Sequence, residues 1–357
     1  MPSLPCVDVN LFVYNGAEFV ADAIDSVLGQ TWPSIRLTLI DDGSNDGTLA
    51  VLEEYAQRHS HIRIKRNRCN GGAIANFQRA FWFGDSDYVL PKSADDLLAP
   101  DFIAQIMDVL LANAGCAMCH AAGVVFSSQG QHEAYPPDHC LSAIGDNAFD
   151  RARHVMQRYT SSPSFWGIYR RDAADRLAPI RYLAGWDHAL LAELALYGEI
   201  RHVPELLYWR RDGGKPVLRL ARDATETGCR RLGLDLPLAD QRWRTPLITT
   251  AYAHLETFSL ARLPEAERRL LMQQVPAIFR ARWLPWMRQE VSALRADLPG
   301  MIAGFYSAPS LEAYWIARAL TELLRTVEAI LPEEDFTPVH TQIAVAARQN
   351  MGQEIVR

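Results

Sequence analysis

Residues 35–57, IRLTLIDDGSNDGTLAVLEEYAQ, change periodicity within one short segment. Up to Asp41 the apolar side chains alternate, with Leu37 and Leu39 on one face, as in a strand. Beyond Gly47, Leu49, Leu52 and Tyr55 recur at helical spacing. Asp41, Asp42 and Gly43 make the turn between the two, and Ser44 or Asp46 is the expected helix cap. A strand that hands over to a helix in this way is part of a βαβ unit, and the flanking sequence decides whether the unit repeats.

It repeats on both sides. Upstream, Val7, Val9, Leu11 and Val13 alternate as a strand that ends at Asn15-Gly16. Phe19, Val20, Ala23, Ile24, Val27 and Leu28 then follow a helical pattern closed by Gly29. Downstream, HIRIKRN is a short strand, IANFQRAFWF a helix, DYVL a strand and PDFIAQIMDVLLA a helix. Strands alternating with helices predict an α/β fold with a mostly parallel sheet, whose ligands bind beyond the carboxyl ends of its strands. Both Asp-Asp pairs, Asp41-Asp42 and Asp95-Asp96, fall at such ends. From about residue 120 to 170 the pattern loosens into an apolar strand, a loop with Pro136-Pro137, a helix near DRARHVMQRY and the segment SFWGIYRRDAADRL. Trp186 and Asp187 then open a buried helix, and Leu206 to Tyr208 form a last strand. Strand signals stop at the Gly213-Gly214 linker, which predicts a domain over 1–215 and a smaller α-helical domain over 216–357. In the latter, successive helices are separated by Pro or Gly.

The 357 residues are 49% hydrophobic and 22% charged, with a formal net charge of -6, which is ordinary globular composition. The chain lacks the basic field of a nucleic-acid binder, so no nucleic-acid partner is expected. No apolar run of about 18 residues and no charged start with an apolar core is present, and the expected location is cytoplasmic. Six dispersed cysteines predict reduced thiols. CAMCH at 116–120 has the form of a haem-attachment site, but its surroundings are those of a buried strand, and no second cysteine pair completes a zinc set.

Several motifs occur in a consistent order: VYNGAEFVADAIDSVLGQTWP, LIDDGSNDGT, NGGAIANFQRA, DYVLPKSADDLLAPDF, and GWDHALLAELALYG followed by VPELLYWRRD. On these, roughly the first 215 residues resemble the inverting nucleotide-sugar glycosyltransferases of family 2, which have the GT-A, Rossmann-like fold. The resemblance implies displacement of a nucleoside diphosphate from a sugar's anomeric carbon by an acceptor hydroxyl, with inversion. That reaction needs a grip on the nucleotide, a counter-charge for the leaving diphosphate and a base for the acceptor proton.

For the grip, the resemblance puts Phe12 and Tyr14 against the base, Asp42 as acceptor for a base N–H, and Asn70, Gly72 and Asn76 at the nucleotide's loop and helix start. An acceptor at Asp42 suits uracil or thymine, so a UDP- or dTDP-sugar is favoured, but guanine also presents N–H groups and the base is left open. The plainer reading of Tyr14 and Asp42 is a strand-end aromatic and a turn residue. For the counter-charge, Asp96 matches the last acid of the family's metal motif, and Asp95 is placed on ribose or sugar. The implied cofactor is Mn²⁺ or Mg²⁺. Ser93 stands where a first Asp is common, so the diphosphate itself is expected to complete the metal site. Asp85-Ser86-Asp87 has D-x-D form but precedes its strand and reads as a solvated loop. Asp212 sits where relatives often carry His; it is a second metal ligand or a residue of a salt-bridged turn. Lys215 is a candidate diphosphate contact.

Asp187 occupies the catalytic-base position, with Trp186 in place of the acid that often precedes it. Asp187 also fits a helix cap, and Trp186 fits either an acceptor-sugar platform or a core tryptophan. The expected partners are the nucleotide-sugar donor and a glycan, lipid-linked or protein acceptor. The C-terminal stretch RRLLMQQVPAIFRARWLPWMRQEV interleaves arginines with aromatics, interrupted by Pro276 and Pro285. It suggests peripheral membrane contact, or packing against the catalytic domain or a second copy in a homo-oligomer. The rival from another class is a GT-A scaffold protein without catalysis, motivated by Ser93 and Trp186. A nucleotidyltransferase is disfavoured by the lack of a basic, glycine-rich N-terminal loop.

Overall fold

The computed structural model describes residues 4–127, 130, 132–160, 164–212, 245–307 and 310–354. Chain contacts divide the molecule into two compact units. The first comprises Met1–Ile180 with Leu190–Pro216, the second Arg181–Ala189 with Val217–Arg357.

The first unit is built on a mixed sheet. Its strands are β1 (Val7–Val13), β2 (Ile35–Asp41), β3 (Arg63–Arg66), β4 (Tyr88–Ser93), β5 (Leu97–Leu98), β6 (Cys116–Phe126), β7 (His132–Ala134), β8 (Gly167–Arg170) and β9 (Glu199–Arg211). They run in the order β3-β2-β1-β4-β8-β6-β9-β5, with β7 paired to β6. The block β3-β2-β1-β4 is parallel throughout, β6 and β9 are parallel, and β8 joins the two groups antiparallel to both. Helices α1 (Val20–Leu28), α2 (Thr48–Arg58), α3 (Ala73–Ala80) and α4 (Phe102–Ala112) make the crossovers. Every residue of β1 is buried, as expected for a strand with both faces covered. Its apolar side chains join one core with Ile24 and Val27 of α1 and Ile103, Ile106 and Leu110 of α4.

The α/β class and the strand-helix alternation agree with the sequence. The expected cap of α2 is corrected: its N-cap is Gly47, which has no side chain to cap with, while the Asp46 carboxylate accepts from Thr48 N at 2.9 Å and the Ser44 hydroxyl accepts from Asn15 N at 3.0 Å, tying the first turn to the second. The last strand is far longer than Leu206 to Tyr208. Pairing with β6 slips between Ala121↔Val203 and Ala122↔Leu206, and Pro204 and Glu205 stand in that slip. A bulge accommodates a proline that has no N–H to give, so the strand continues through it.

Helix α5 (Ala148–Arg158) is capped by Asn147, and a short α6 (Arg171–Ala174) follows β8. Helix α7 (Trp186–Tyr197) opens in the second unit and ends in the first. Among the described residues, the second unit continues with four helices: α8 (Pro246–Leu260), α9 (Glu265–Ser307), α10 (Ser310–Ile330) and α11 (Thr337–Glu354). Of the interruptions expected at Pro276 and Pro285, the first is corrected here and the second has its counterpart in a kink. Helix α9 passes Pro276, Pro285 and Pro299 and breaks only at Trp283, whose φ is -131°. The break lies two residues before Pro285, where the ring would otherwise meet the preceding turn. Along α9, Phe279 and Met287 are fully buried and Trp286 is exposed. Its basic residues are partly neutralised, since Arg288 and Arg295 pair with Glu333 and Glu334. Among the described residues, no helix is long and apolar enough to cross a membrane.

Candidate active site

The carboxyl ends of β1, β2 and β4 lie side by side, with Val13 against Asp41 and Phe12 against Ser93. Phe12 is buried, its ring 6.1 Å from that of Trp166, whereas Tyr14 is 43% exposed at the strand's mouth. Asn15 takes φ = 50°, and its side-chain oxygen accepts from Asn45 N at 3.0 Å. Gly16 N donates to the Thr48 hydroxyl at 2.8 Å. The two loops after β1 and β2 are thus stitched into one rim.

Asp42 is completely buried and organises the next loop. One carboxylate oxygen accepts from Gly71 N at 2.6 Å and Gly72 N at 3.0 Å, the other from Asn67 Nδ2 at 2.7 Å. Asn67 Nδ2 is also 3.1 Å from Asn76 Oδ1, and Asn76 Nδ2 donates to Gly72 O. Asn70 Oδ1 takes a further bond from Gly72 N at 2.7 Å. The structure therefore brings together Asp42, Asn70, Gly72 and Asn76, and adds Asn67, which sequence reading missed. Gly72 has φ = 82°, a conformation that suits a residue without Cβ, and it is the N-cap of α3. Arg79 of α3 approaches Asp42 at 3.7 Å.

Asp95 and Asp96 follow β4 and precede β5, whose pairing with β9 sets Leu97 against Trp209 and Leu98 against Tyr208. That pairing explains how Asp96 is held. Its Oδ1 accepts from Arg211 N at 3.0 Å and its Oδ2 from the hydroxyl of fully buried Tyr208. Beneath the turn, the fully buried Lys92 donates from Nζ to the carbonyls of Ser93 and Asp96, at 2.5 Å each. Burial pulls the Lys92 ammonium down to about 8, with the Asp96 and Asp95 charges opposing. Asp95 reaches solvent, yet the protein packed around its carboxyl and the adjacent Asp96 raise it to about 6. Lys92 and Tyr208 were not singled out from sequence; a lysine within an apolar strand run, directly before the acids, was the available signal.

Arg211 lies across this turn, its Nε donating to Asp95 O and its Nη2 3.2 Å from Asp22. Asp212, the next residue, is exposed, and its N–H donates to Phe126 O at 2.7 Å. Lys215 lies outside the described residues. Among the described residues no three His, Cys, Asp or Glu side chains gather as a metal site. What the turn after β4 offers is two adjacent carboxylates, Asp95 and Asp96, the hard oxygen donors that a divalent cation takes when diphosphate and water supply the rest.

Trp186 and Asp187 belong to the second unit. Both are half-buried and start α7, as the sequence predicts. Gly185 precedes them with φ = 73°. The Asp85-Ser86-Asp87 loop is only partly solvated: Ser86 is buried, and Asp85 pairs with Arg36.

Residues 9–177 match the family described as Glycosyl transferase family 2. This segment is a glycosyltransferase family 2 domain. An uncharacterized glycosyltransferase of Haemophilus influenzae is 31% identical over 113 residues, covering 32% of this chain and 35% of that protein. The uncharacterized glycosyltransferase YibD of Escherichia coli is 25% identical over 190 residues, covering 53% of this chain and 55% of YibD. The chain thus spans about half or less of these relatives' own length. The structure of S. aureus TarS 1–349 in complex with UDP-GlcNAc superposes with a TM-score of 0.55 at 15% identity, covering 97% of this chain and 89% of that one. It shares the GT-A fold with the family 2 domain, and its coverage extends into the C-terminal helical region.

Proposed function

We propose that this family 2 protein is an inverting glycosyltransferase. It moves a sugar from a nucleoside diphosphate, with UDP or dTDP favoured, to a hydroxyl of a glycan, lipid-linked or protein acceptor. The observation that carries the reading is Asp96. It is a buried carboxylate fixed at a strand's carboxyl end by Tyr208 and Arg211, in a domain of known transferase family. Rigid placement of an anionic ligand is what a diphosphate-metal site requires. Asp96, assisted by Asp95 and Asp212, would hold Mn²⁺ or Mg²⁺ with the diphosphate. When bound, the cation supplies positive charge to the departing group.

Phe12 and Tyr14 bracket the base. Its imide N–H takes the place of the Gly71 and Gly72 amides on Asp42, while Asn70, Gly72 and Asn76 shape the loop around it. Asp95 holds the ribose or sugar and Lys215 contacts the diphosphate. Asp187 removes the acceptor proton as the acceptor oxygen bonds to the anomeric carbon and the carbon–diphosphate bond breaks on the opposite face, which inverts the centre. Trp186 offers its face to the acceptor sugar.

The test is turnover of UDP-, dTDP- and GDP-linked hexoses, with the anomer of the released or transferred sugar read by NMR. Inversion, and a loss of about 10²–10⁴-fold in Asp187→Asn, is expected for removal of a general base. Retention of configuration, or full activity in that variant, contradicts the assignment. A nucleotide-binding chain with no turnover would favour the scaffold reading.

A further inference from the structure

The segment that carries Asp187 is grouped with the C-terminal helices, and the contacts that hold it are specific. Gly185 packs on Thr250 of α8 so closely that a Cβ at Gly185 would collide with the Thr250 hydroxyl. One turn along the same face of α8, His254 is fully buried, and its Nε2 lies 2.5 Å from Nδ1 of His188. Leu183 and Ala189 pack on Ala253 and Tyr252, and Arg181 pairs with Glu256 at 3.2 Å. Helix α9 completes the seat. Phe279 lies 5.3 Å from His254 and 6.0 Å from His188, and Trp283, at the helix break, lies 5.9 Å from His188. Residues 181–189 are therefore gripped on both sides of Asp187 by the helical unit.

We propose that His254 is a positioning residue for the transfer reaction, acting through His188 to fix the direction in which Asp187 leaves helix α7. This rests on the reading of Asp187 as the base. Neighbouring residues leave an α-helix about 100° apart, so holding the ring of His188 sets the rotation of the first turn and with it the bearing of residue 187. Two rings joined by a short hydrogen bond in an aromatic cage allow little rotation. Burial keeps His254 neutral, pulling it down to about 3, and one ring donates to the other across the contact. Among the described residues His254 Nδ1 has no hydrogen-bond partner, a cost in stability that phenylalanine would not carry. The α9 break that brings Trp283 to His188 serves the same seat.

The test compares His254→Phe, which keeps the ring, and His254→Gln, whose amide reaches the position of Nε2 and can restore a bond to His188, with wild type and Asp187→Asn. Two properties are measured: hydrolysis of UDP-, dTDP- and GDP-linked hexoses, and hydrogen exchange of the amides at 185–190. The expected result for His254→Phe is a kcat lower by at least about tenfold, because small misplacements of a reacting group are that costly. Donor KM and nucleoside diphosphate affinity stay within about twofold, and exchange at 185–190 is faster; His254→Gln recovers part of each loss. Unchanged exchange and unchanged kcat in both variants overturn the proposal. Equal losses of nucleotide affinity and kcat overturn it too, since they indicate a general structural defect. If Asp187→Asn turns over normally, or the wild type hydrolyses no donor, the base reading fails rather than the seat alone.

Discussion

Asp8 offers a sharp stability prediction. It is the second residue of β1, 1% exposed, and ties three parts of the first unit together. Its Oδ2 accepts from Arg171 Nη2 and from Ser86 N, both at 2.9 Å, and its Oδ1 is 3.5 Å from Arg36 Nε. Truncation in Asp8→Ala leaves a largely buried guanidinium without its counter-charge, a change that costs about 3–5 kcal/mol in comparable cases. Arg171 keeps its bonds to the carbonyls of Ser86, Phe81 and Phe83, which places the loss at the lower end of that range. The lost Ser86 amide acceptor adds about 1 kcal/mol, for a total of about 4 kcal/mol. Arg36 is one-third exposed and its contact is long, so Arg36→Ala should cost about 1 kcal/mol or less. Urea unfolding, read as the midpoint shift at unchanged slope, measures both. A loss below about 1 kcal/mol in Asp8→Ala, or equal losses in the two variants, would refute the reasoning, because neither is compatible with a buried, charge-compensating carboxylate.

Two further outcomes follow from the same contacts. Asp42→Ala removes the acceptor of Gly71 N, Gly72 N and Asn67 Nδ2, so hydrogen exchange at 67–76 should accelerate and nucleotide affinity fall by at least about tenfold, with Asp42→Asn intermediate; unchanged exchange in Asp42→Ala would contradict its role in the loop. Glu290 accepts from Leu247 N and Ile248 N at the start of α8, and burial raises its carboxyl from 4.5 to about 7. Because the folded value exceeds the unfolded one, the folded state binds more protons between these pH values. The contribution is then fully present below 4.5 and lost as pH rises through about 7, at most about 3 kcal/mol over that window. The stability difference between wild type and Glu290→Gln should change with pH by that order and in that direction; a pH-independent difference would count against it.

Much of the first unit was legible because its signals are local. Alternation in β1 and β2, helical spacing in α1 and the glycines at the turns each need only a few neighbouring residues. The acids at strand ends were visible for the same reason, since the order of strand, turn and helix puts them there. What could not be read depends on partners distant in sequence. Tyr208 meets Asp96 across 112 residues and Arg171 meets Asp8 across 163. Neither type of residue is unusual in its own segment. Pro204 hid the length of β9, because a proline normally argues against a paired strand and only the register slip with β6 accommodates it. The α9 prolines misled in the opposite way: one break at Trp283 relieved what looked like several. His254 gave no signal at all, being one apolar-face histidine among helix-forming residues until α8 is set against 181–189.

The central claim is that the Asp95-Asp96 turn holds a nucleoside diphosphate with a divalent cation. Calorimetric titration of wild type and Asp96→Ala with UDP, dTDP, GDP and CMP, each with and without Mn²⁺, tests it most directly. The account predicts that one diphosphate binds, more tightly with the cation, and that this gain disappears in Asp96→Ala. Binding of no nucleotide, or a cation-dependent gain that survives in Asp96→Ala, would contradict it.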